Sequence, residues 1–244
     1  MSESPDLFTT RMRKATRKIH NISDALVNAK FAIALRDEQV WGGGLFIFYY
    51  IFGYLEDAKA RLNMPDFDKM FVHKALYRKS AFEEDLTHYL GSDWKSIPKA
   101  MALENYLEHL QALERDNPKL LLAYVYHLYL GLLSGGQILA KKRRMFGQGN
   151  SKEDTYTDKV TDFTGTDIAQ LKKDFRQATN EIAETMTDAE KEAFIEESNN
   201  VFVMNNLIVN SVGGQNKVLF NILSKVSAVA FVVVGVVIAY KIHK

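Results

Sequence analysis

Apolar residues recur at intervals of three and four positions along most of the chain, which is the spacing of one face of an α-helix. No alternation of apolar and polar residues continues far enough to build a sheet. The pattern predicts an all-α body with helices at 6–21, 24–35, 40–62, 80–90, 98–115, 118–145, 167–185 and 187–212. The polar, glycine-containing stretch 146–166 is expected to be a surface loop that connects two of these helices.

The pattern changes near the C-terminal end. Residues 226–240, VSAVAFVVVGVVIAY, carry no charge and are flanked by lysines. Such a terminal run is typical of a membrane anchor, although it is shorter than the roughly 20 residues that a spanning helix needs. A buried core helix is the alternative. We expect a helical domain at 1–212, a linker at 213–225 and a transmembrane tail anchor at 226–240.

Composition excludes several classes of function. The 244 residues include no cysteine, which rules out disulfides, zinc–thiolate sites and cysteine nucleophiles. A formal net charge of +1 is too small for the dominant basic surface of a general nucleic-acid binder. The polar N-terminus lacks the apolar core of a signal peptide, so we expect the body to face the cytosol.

Residues 11–24, RMRKATRKIHNISD, place an imidazole among charged side chains. On one continuous helix Arg13, His20 and Asp24 share a face, because they are separated by seven and four positions. A carboxylate four residues after a histidine can hold one ring nitrogen and leave the other for a metal. Alternatively, Ser23 or Asp24 caps the following helix and His20 is an ordinary half-buried residue.

The stretch 129–137, YLGLLSGGQ, places three glycines inside the predicted helix 118–145. Each costs about 1 kcal/mol relative to alanine in a helix interior. Adjacent glycines favour a kink, and a backbone without side chains lets a flat ligand approach closely. Close packing of a neighbouring helix is the alternative. Tyr124, Tyr126 and Tyr129 are expected in the core, and the basic run 141–144 is expected to be a solvated helix end.

Other catalytic patterns are weak or missing. No Glu-x-x-His pair of the di-iron type occurs, and the order of LSGGQ differs from a G-x-S-x-G nucleophile elbow. A Walker A loop is also missing, so LSGGQ is not interpreted as a nucleotide-binding signature. Lys172 and Arg176 lie one helical turn apart and are suited to carboxylates, with a solvated surface face as the alternative.

Together these segments resemble the heme oxygenases of the tail-anchored, microsomal type. The resemblance covers nearly the whole body, through ATRKIHN at 15–21, YLGLLSGGQ at 129–137, LKKDFRQ at 171–177 and NNVFVMNN at 199–206. It implies a heme held between a proximal and a distal helix, with His20 as the iron ligand. The implied heme-contacting residues are Arg13, Asp24, Tyr126, Lys172 and Arg176, and the implied distal residues are Gly131, Leu132, Ser134, Gly135 and Gly136.

Leu132 departs from the family pattern, which has an aspartate before Leu-Ser-Gly-Gly. In the family that aspartate is thought to organise waters that deliver a proton during oxygen activation. Leucine has no donor or acceptor with which to hold such waters. We therefore expect slower turnover, weaker positional selectivity, or both, relative to an aspartate-bearing relative.

The resemblance also implies an activity. Heme b, as both prosthetic group and substrate, would be opened to biliverdin, carbon monoxide and ferrous iron. The reaction would use O2 and electrons from NADPH, delivered by a flavoprotein of the cytochrome P450 reductase type. Biliverdin reductase is an implied further partner, and the endoplasmic reticulum is the implied membrane. The alternatives are a membrane-tethered heme sensor or carrier without ring cleavage, and a tail-anchored helical scaffold without heme.

Overall fold

A computed structural model of the chain describes residues 7–34, 37–147 and 156–212. This part of the chain is all-α, as predicted. Its helices are α1 (Phe8–Ala34), α2 (Glu38–Leu62), α3 (Pro65–Met70), α4 (Lys79–Leu90), α5 (Met101–Asp116), α6 (Leu121–Gly131), α7 (Gln137–Gly147), α8 (Ile168–Glu184) and α9 (Asp188–Ser211). Three 3₁₀ turns lie at Lys74–Leu76, Trp94–Ser96 and Pro118–Leu120, and a π-turn at Leu132–Gly136 joins α6 to α7.

The first helix differs from the prediction. The expected break between residues 21 and 24 is wrong, because α1 runs without interruption from Phe8 to Ala34. Ser23 is buried in its interior, and the backbone carbonyl of Asp24 accepts a hydrogen bond from the Asn28 side chain at 2.8 Å. Neither residue caps a helix, so their capping preference did not determine the local structure. The short α3, which begins at Pro65, was not predicted.

The core surrounds α6. Five successive residues at 121–125 are almost completely enclosed, and α6 contacts α5, α8 and α9. Tyr124 and Tyr129 are buried, which confirms the expectation that these tyrosines lie in the core. On one side α1 packs along α9, where the rings of Phe8 and Phe194 meet edge to face at 5.6 Å. These contacts place α1, α6, α8 and α9 around one region of the molecule.

The stretch after α7 is only partly a surface loop. Asp85 of α4 is fully buried and accepts hydrogen bonds from the backbone N–H groups of Lys159 and Val160, at 2.8 and 2.9 Å. The Tyr156 hydroxyl also donates to Asp85, at 2.7 Å. Burial raises the pKa of the Asp85 carboxyl, and these hydrogen bonds lower it in part. Residues 156–163 are thereby attached to α4, whereas residues 148–155 lie outside the described part.

The predicted linker and anchor, at residues 213–225 and 226–240, also lie outside the described residues. Among the helices that are described, none combines the length and the apolar character required to cross a bilayer.

Candidate functional site

His20 and Asp24 are placed side by side on the exposed face of α1. Nδ1 of His20 lies 3.2 Å from Oδ2 of Asp24, so the aspartate reaches the ring across one helical turn. About half of the His20 side chain is exposed. A ring whose Nδ1 faces a carboxylate presents Nε2 outward, which is how an imidazole is oriented to bind a metal. Within the described residues, no group of three or more metal-ligating side chains is gathered at one place.

The ring of Phe202 on α9 links this histidine to α6. His20 meets Phe202 edge to face at 5.3 Å, and His127 of α6 meets the same ring at 4.9 Å. Gly131 follows His127 by four positions and therefore lies one turn further along the same side of α6. The glycine segment and His20 thus border one region, with Phe202 between their helices.

The glycine segment forms a π-turn, Leu132–Gly136, rather than a simple kink. π-Turns are rare and are frequently found at functional sites. Cβ atoms added at Gly131 and Gly135 would meet nothing among the described residues within 4 Å. Close packing of a neighbouring helix therefore does not account for these two glycines. They leave open space beside the backbone.

Gly136 has a different environment. A Cβ atom there would lie 3.1 Å from Cδ1 of Leu132, so this glycine makes room for the leucine side chain one turn before it. Leu132 is partly buried against the core, and Ser134 is half-buried within the same turn. The position at which the family resemblance expects an aspartate is thus occupied by an apolar side chain that lies over Gly136.

Cationic side chains from two further helices approach Tyr126 of α6. Burial raises the pKa of the Tyr126 hydroxyl, and the guanidinium groups of Arg176 and Arg13 lower it in part. The structure thus brings together residues of α1, α6 and α8. Arg176 also donates to the backbone carbonyl of Lys172 at 3.3 Å, one turn earlier on α8. A buried tyrosine with two arginines is suited to bind carboxylates.

Arg143 was not predicted as a site residue. The expectation of a solvated helix end is wrong for it, because only 12% of its side chain is exposed. Its guanidinium lies over the rings of Trp41 and Tyr89, at 5.0 and 4.8 Å from their centroids, and Nε lies 3.8 Å from Asp158 Oδ2. Nothing in a run of basic residues indicates this burial, because the partners are distant in sequence.

The buried imidazole of His127 gives a prediction for the pH dependence of the protein's stability. Its Nε2 has no hydrogen-bond partner among the described residues, and burial, with a smaller contribution from His20, lowers its pKa from 6.5 to about 3. The unfolded chain therefore binds a proton that the folded protein does not bind between these values. The free energy of unfolding should fall as the pH is lowered through this window.

His127→Leu should reduce this dependence, by up to about 1.4 kcal/mol per pH unit, because leucine does not titrate. Urea unfolding at several pH values between about 6.5 and 4 gives the slope of the free energy of unfolding against pH, for the parent protein and for the variant. Equal slopes for the parent protein and the variant would contradict the prediction.

The all-α body thus places three features around one region. They are the outward imidazole of His20, the open backbone at Gly131 and Gly135, and the cationic group of Arg13 and Arg176. The sequence of residues 6–211 matches the heme oxygenase family. Among curated relatives, heme oxygenase 1 of Homo sapiens is 30% identical over 211 residues, covering 82% of this chain and 70% of the relative. The heme oxygenase of Rhodella violacea is 29% identical, covering 80% of this chain and 82% of the relative.

Solved structures agree with the sequence matches. Heme oxygenase 2 of Chlamydomonas reinhardtii, solved without heme, superposes with a TM-score of 0.77 at 33% identity, covering 85% of this chain and 98% of the relative. Heme oxygenase-1 of Synechocystis sp. PCC6803, solved in complex with heme, gives 0.77 at 25% identity, covering 91% and 99%. The chain belongs to the heme oxygenase family, and its helical body has the heme oxygenase fold. Heme binding is typical of this family.

Proposed function

We propose that this protein is a heme oxygenase. It opens heme b with O2 and electrons from an NADPH-dependent flavoprotein reductase, and it releases biliverdin, carbon monoxide and ferrous iron. Family membership supports the reaction class, and a reductase partner is general to the family. The observation that carries the proposal is the His20–Asp24 pair, which the ring of Phe202 links to the helix that leads into the open backbone at Gly131 and Gly135.

His20 is the proposed iron ligand. Asp24 holds Nδ1, so the ring keeps one orientation and Nε2 is the nitrogen that binds iron. A neutral imidazole is a common ligand of heme iron, and His20 would hold the iron while the heme supplies the chemistry with O2. Heme supplies the redox chemistry, and the protein supplies one ligand and a restricted approach to the ring.

The other side chains fit the remaining parts of a heme. The open space at Gly131 and Gly135 allows a flat macrocycle to lie against the distal backbone. Arg13, Arg176 and Tyr126 form a polar group suited to the propionates, with Lys172 one turn away from Arg176 on α8. We infer that these contacts determine the rotation of the heme in its plane. Rotation decides which edge of the ring lies under the distal helix and reacts.

Leu132 supports a second candidate function, a heme sensor or carrier that does not cleave the ring. A carboxylate at this position would organise waters and supply a proton, whereas leucine offers neither. General acid catalysis contributes roughly 10²–10⁴-fold where it operates. We therefore propose that ring opening is slow, unselective in position, or both.

Aerobic turnover of the hemin complex with NADPH and a P450-type reductase distinguishes the two functions. A heme oxygenase loses the Soret absorbance, releases carbon monoxide and forms biliverdin, which chromatography resolves into positional isomers. A carrier keeps its Soret band through repeated aerobic reduction. Failure of the purified protein to bind hemin, with no change on His20→Ala, would indicate a scaffold without heme.

We also propose that residues 226–240 anchor the protein in the endoplasmic reticulum membrane with the helical body in the cytosol. The uncharged run and its flanking lysines support this arrangement. The full chain should remain with membranes after alkaline extraction, and a chain that ends at residue 212 should be released. Release of both forms would contradict the proposal.

A further inference from the structure

The two halves of the distal helix differ in how firmly they are held. Six residues of α6, at 121–126, are buried in succession, whereas most of α7 is exposed, including Ile138 at 58% and Met145 at 67%. Between positions 137 and 145 Ala140 is the only apolar side chain that is buried among the described ones. The π-turn with its glycines separates these halves, and such interruptions are sites at which helices bend. Apolar packing therefore fixes α6 much more strongly than α7.

An ion pair attaches α7 to the rest of the domain. Arg143 and Asp158 expose only 12% and 7% of their side chains, and Nε lies 3.8 Å from Oδ2. The Tyr89 hydroxyl donates to Asp158 Oδ1 at 2.5 Å, and the rings of Tyr89 and Trp41 lie against the guanidinium. Arginine is suited to such a site, because its planar group stacks on aromatic rings and remains charged.

The first residue of α7 is attached to residues 156–163, the segment that contains Asp158. Nε2 of Gln137 donates to the backbone carbonyl of Thr161 at 3.0 Å. Asp85 in turn holds that segment to α4 through the N–H groups of Lys159 and Val160. Gln137 and Arg143 of α7 are thus both bound by polar contacts to a segment that α4 fixes in place.

We propose that Arg143 and Asp158 are positioning residues that hold α7 against the domain and thereby slow the opening of the distal helix over the heme. This inference rests on the proposed function, because it places the heme in the space beside the glycine segment. The distal helix bends at the π-turn, and the buried Arg143–Asp158 pair opposes this bending. When one partner is removed, the other remains buried without its counter-charge, so the closed arrangement loses stability.

Hydrogen exchange of the heme-free protein tests the restraint directly. Asp158→Asn keeps the side-chain volume, Arg143→Gln keeps a shorter polar side chain, and each removes one charge. Both should raise the exchange rates of the amides in 137–147 by about tenfold or more, with rates in α6 and α9 unchanged. Arg143→Lys, which keeps the charge without the planar group, should show a smaller increase. Arg144→Gln is the matched control, since its exposed side chain is adjacent on the same helix.

Hemin release gives an independent measurement. With excess apomyoglobin as acceptor, the variants at 143 and 158 should lose hemin about tenfold faster than the Arg144→Gln protein. The double variant should release hemin no faster than the faster single variant, because the two changes break one interaction. Tyr89→Phe keeps the ring, removes the hydroxyl that donates to Asp158, and should give an intermediate rate.

The outcomes separate this inference from the proposed function. Unchanged exchange in 137–147, or an equal increase in all helices, overturns the restraint. If exchange in 137–147 is faster but hemin release is unchanged, then α7 opens without exposing the heme. This result overturns the proposed link between the ion pair and heme retention. If the variants behave as expected but the hemin complex does not turn over with reductase, the restraint stands and the proposed ring cleavage fails.

Discussion

His20→Ala should abolish ring cleavage while the helical body stays folded. The side chain is half exposed and contacts Asp24 and the ring of Phe202, so little packing is lost. Alanine also has a high helix propensity. Alanine would remove the nitrogen that, in the proposed function, would hold the iron. We expect biliverdin formation to fall by at least about a hundredfold, because the proposed iron ligand belongs to the reacting centre itself.

Asp24→Asn is the graded comparison for this experiment. The amide preserves size and one oxygen beside Nδ1 but removes the charge. Partners of metal-binding histidines typically contribute about 10- to 100-fold to affinity or activity, so this variant should lose less than His20→Ala. Absorption spectra of both hemin complexes should be recorded beside the turnover rates. Parent-like turnover of His20→Ala would show that another residue binds the iron, and His127, across the ring of Phe202, would be the first to test.

Leu132→Asp should change turnover in the opposite direction. A carboxylate at this position can accept hydrogen bonds, and its protonated form can donate one, so it can hold water within the distal turn. Aspartate has the same branched shape as leucine, so it should fit over Gly136 where the leucine side chain now lies. We expect ring opening to accelerate about a hundredfold, within the range of general acid catalysis, and one biliverdin isomer to predominate.

Leu132→Ala distinguishes the effect of added space in the distal turn from the effect of proton supply. It opens the same region without a polar group, so water can enter but is not oriented. If alanine and aspartate accelerate the reaction equally, space rather than proton supply limits the parent protein. Rapid turnover of the parent protein to a single isomer would contradict the assignment of a defect to Leu132. Thermal unfolding of each variant should accompany these rates, because Leu132 packs partly against the core.

Local interactions of this protein could be predicted from its sequence, and distant ones could not. The four-residue spacing of His20 and Asp24 predicts their contact, because adjacent turns of a helix bring such residues together. Ser23 and Asp24 also indicated a helix end that does not exist. Capping preference is weaker than the packing of α1 along α9, so the helix continues through them.

The meeting of Arg13, Tyr126 and Arg176 required more than helical periodicity. These residues come from three helices, and the expectation that they act together came from the family resemblance. Neither helical periodicity nor the family resemblance indicated the Arg143–Asp158 pair. Its aromatic neighbours on α2 and α4 lie far away in sequence, and a basic residue in a basic run is normally solvated. Only the three-dimensional packing brings these groups together.

The π-turn also sets the rotational register between the two halves of the distal helix. A turn that closes with i→i+5 bonds contains about one more residue than an α-turn, so the helix beyond it is rotated by roughly 100° relative to an uninterrupted one. In an uninterrupted helix the side chain at position 143 would face a different direction from the one that meets Asp158 and Tyr89. The residues that open the backbone at Gly131 and Gly135 thus also direct an arginine two turns later into the domain.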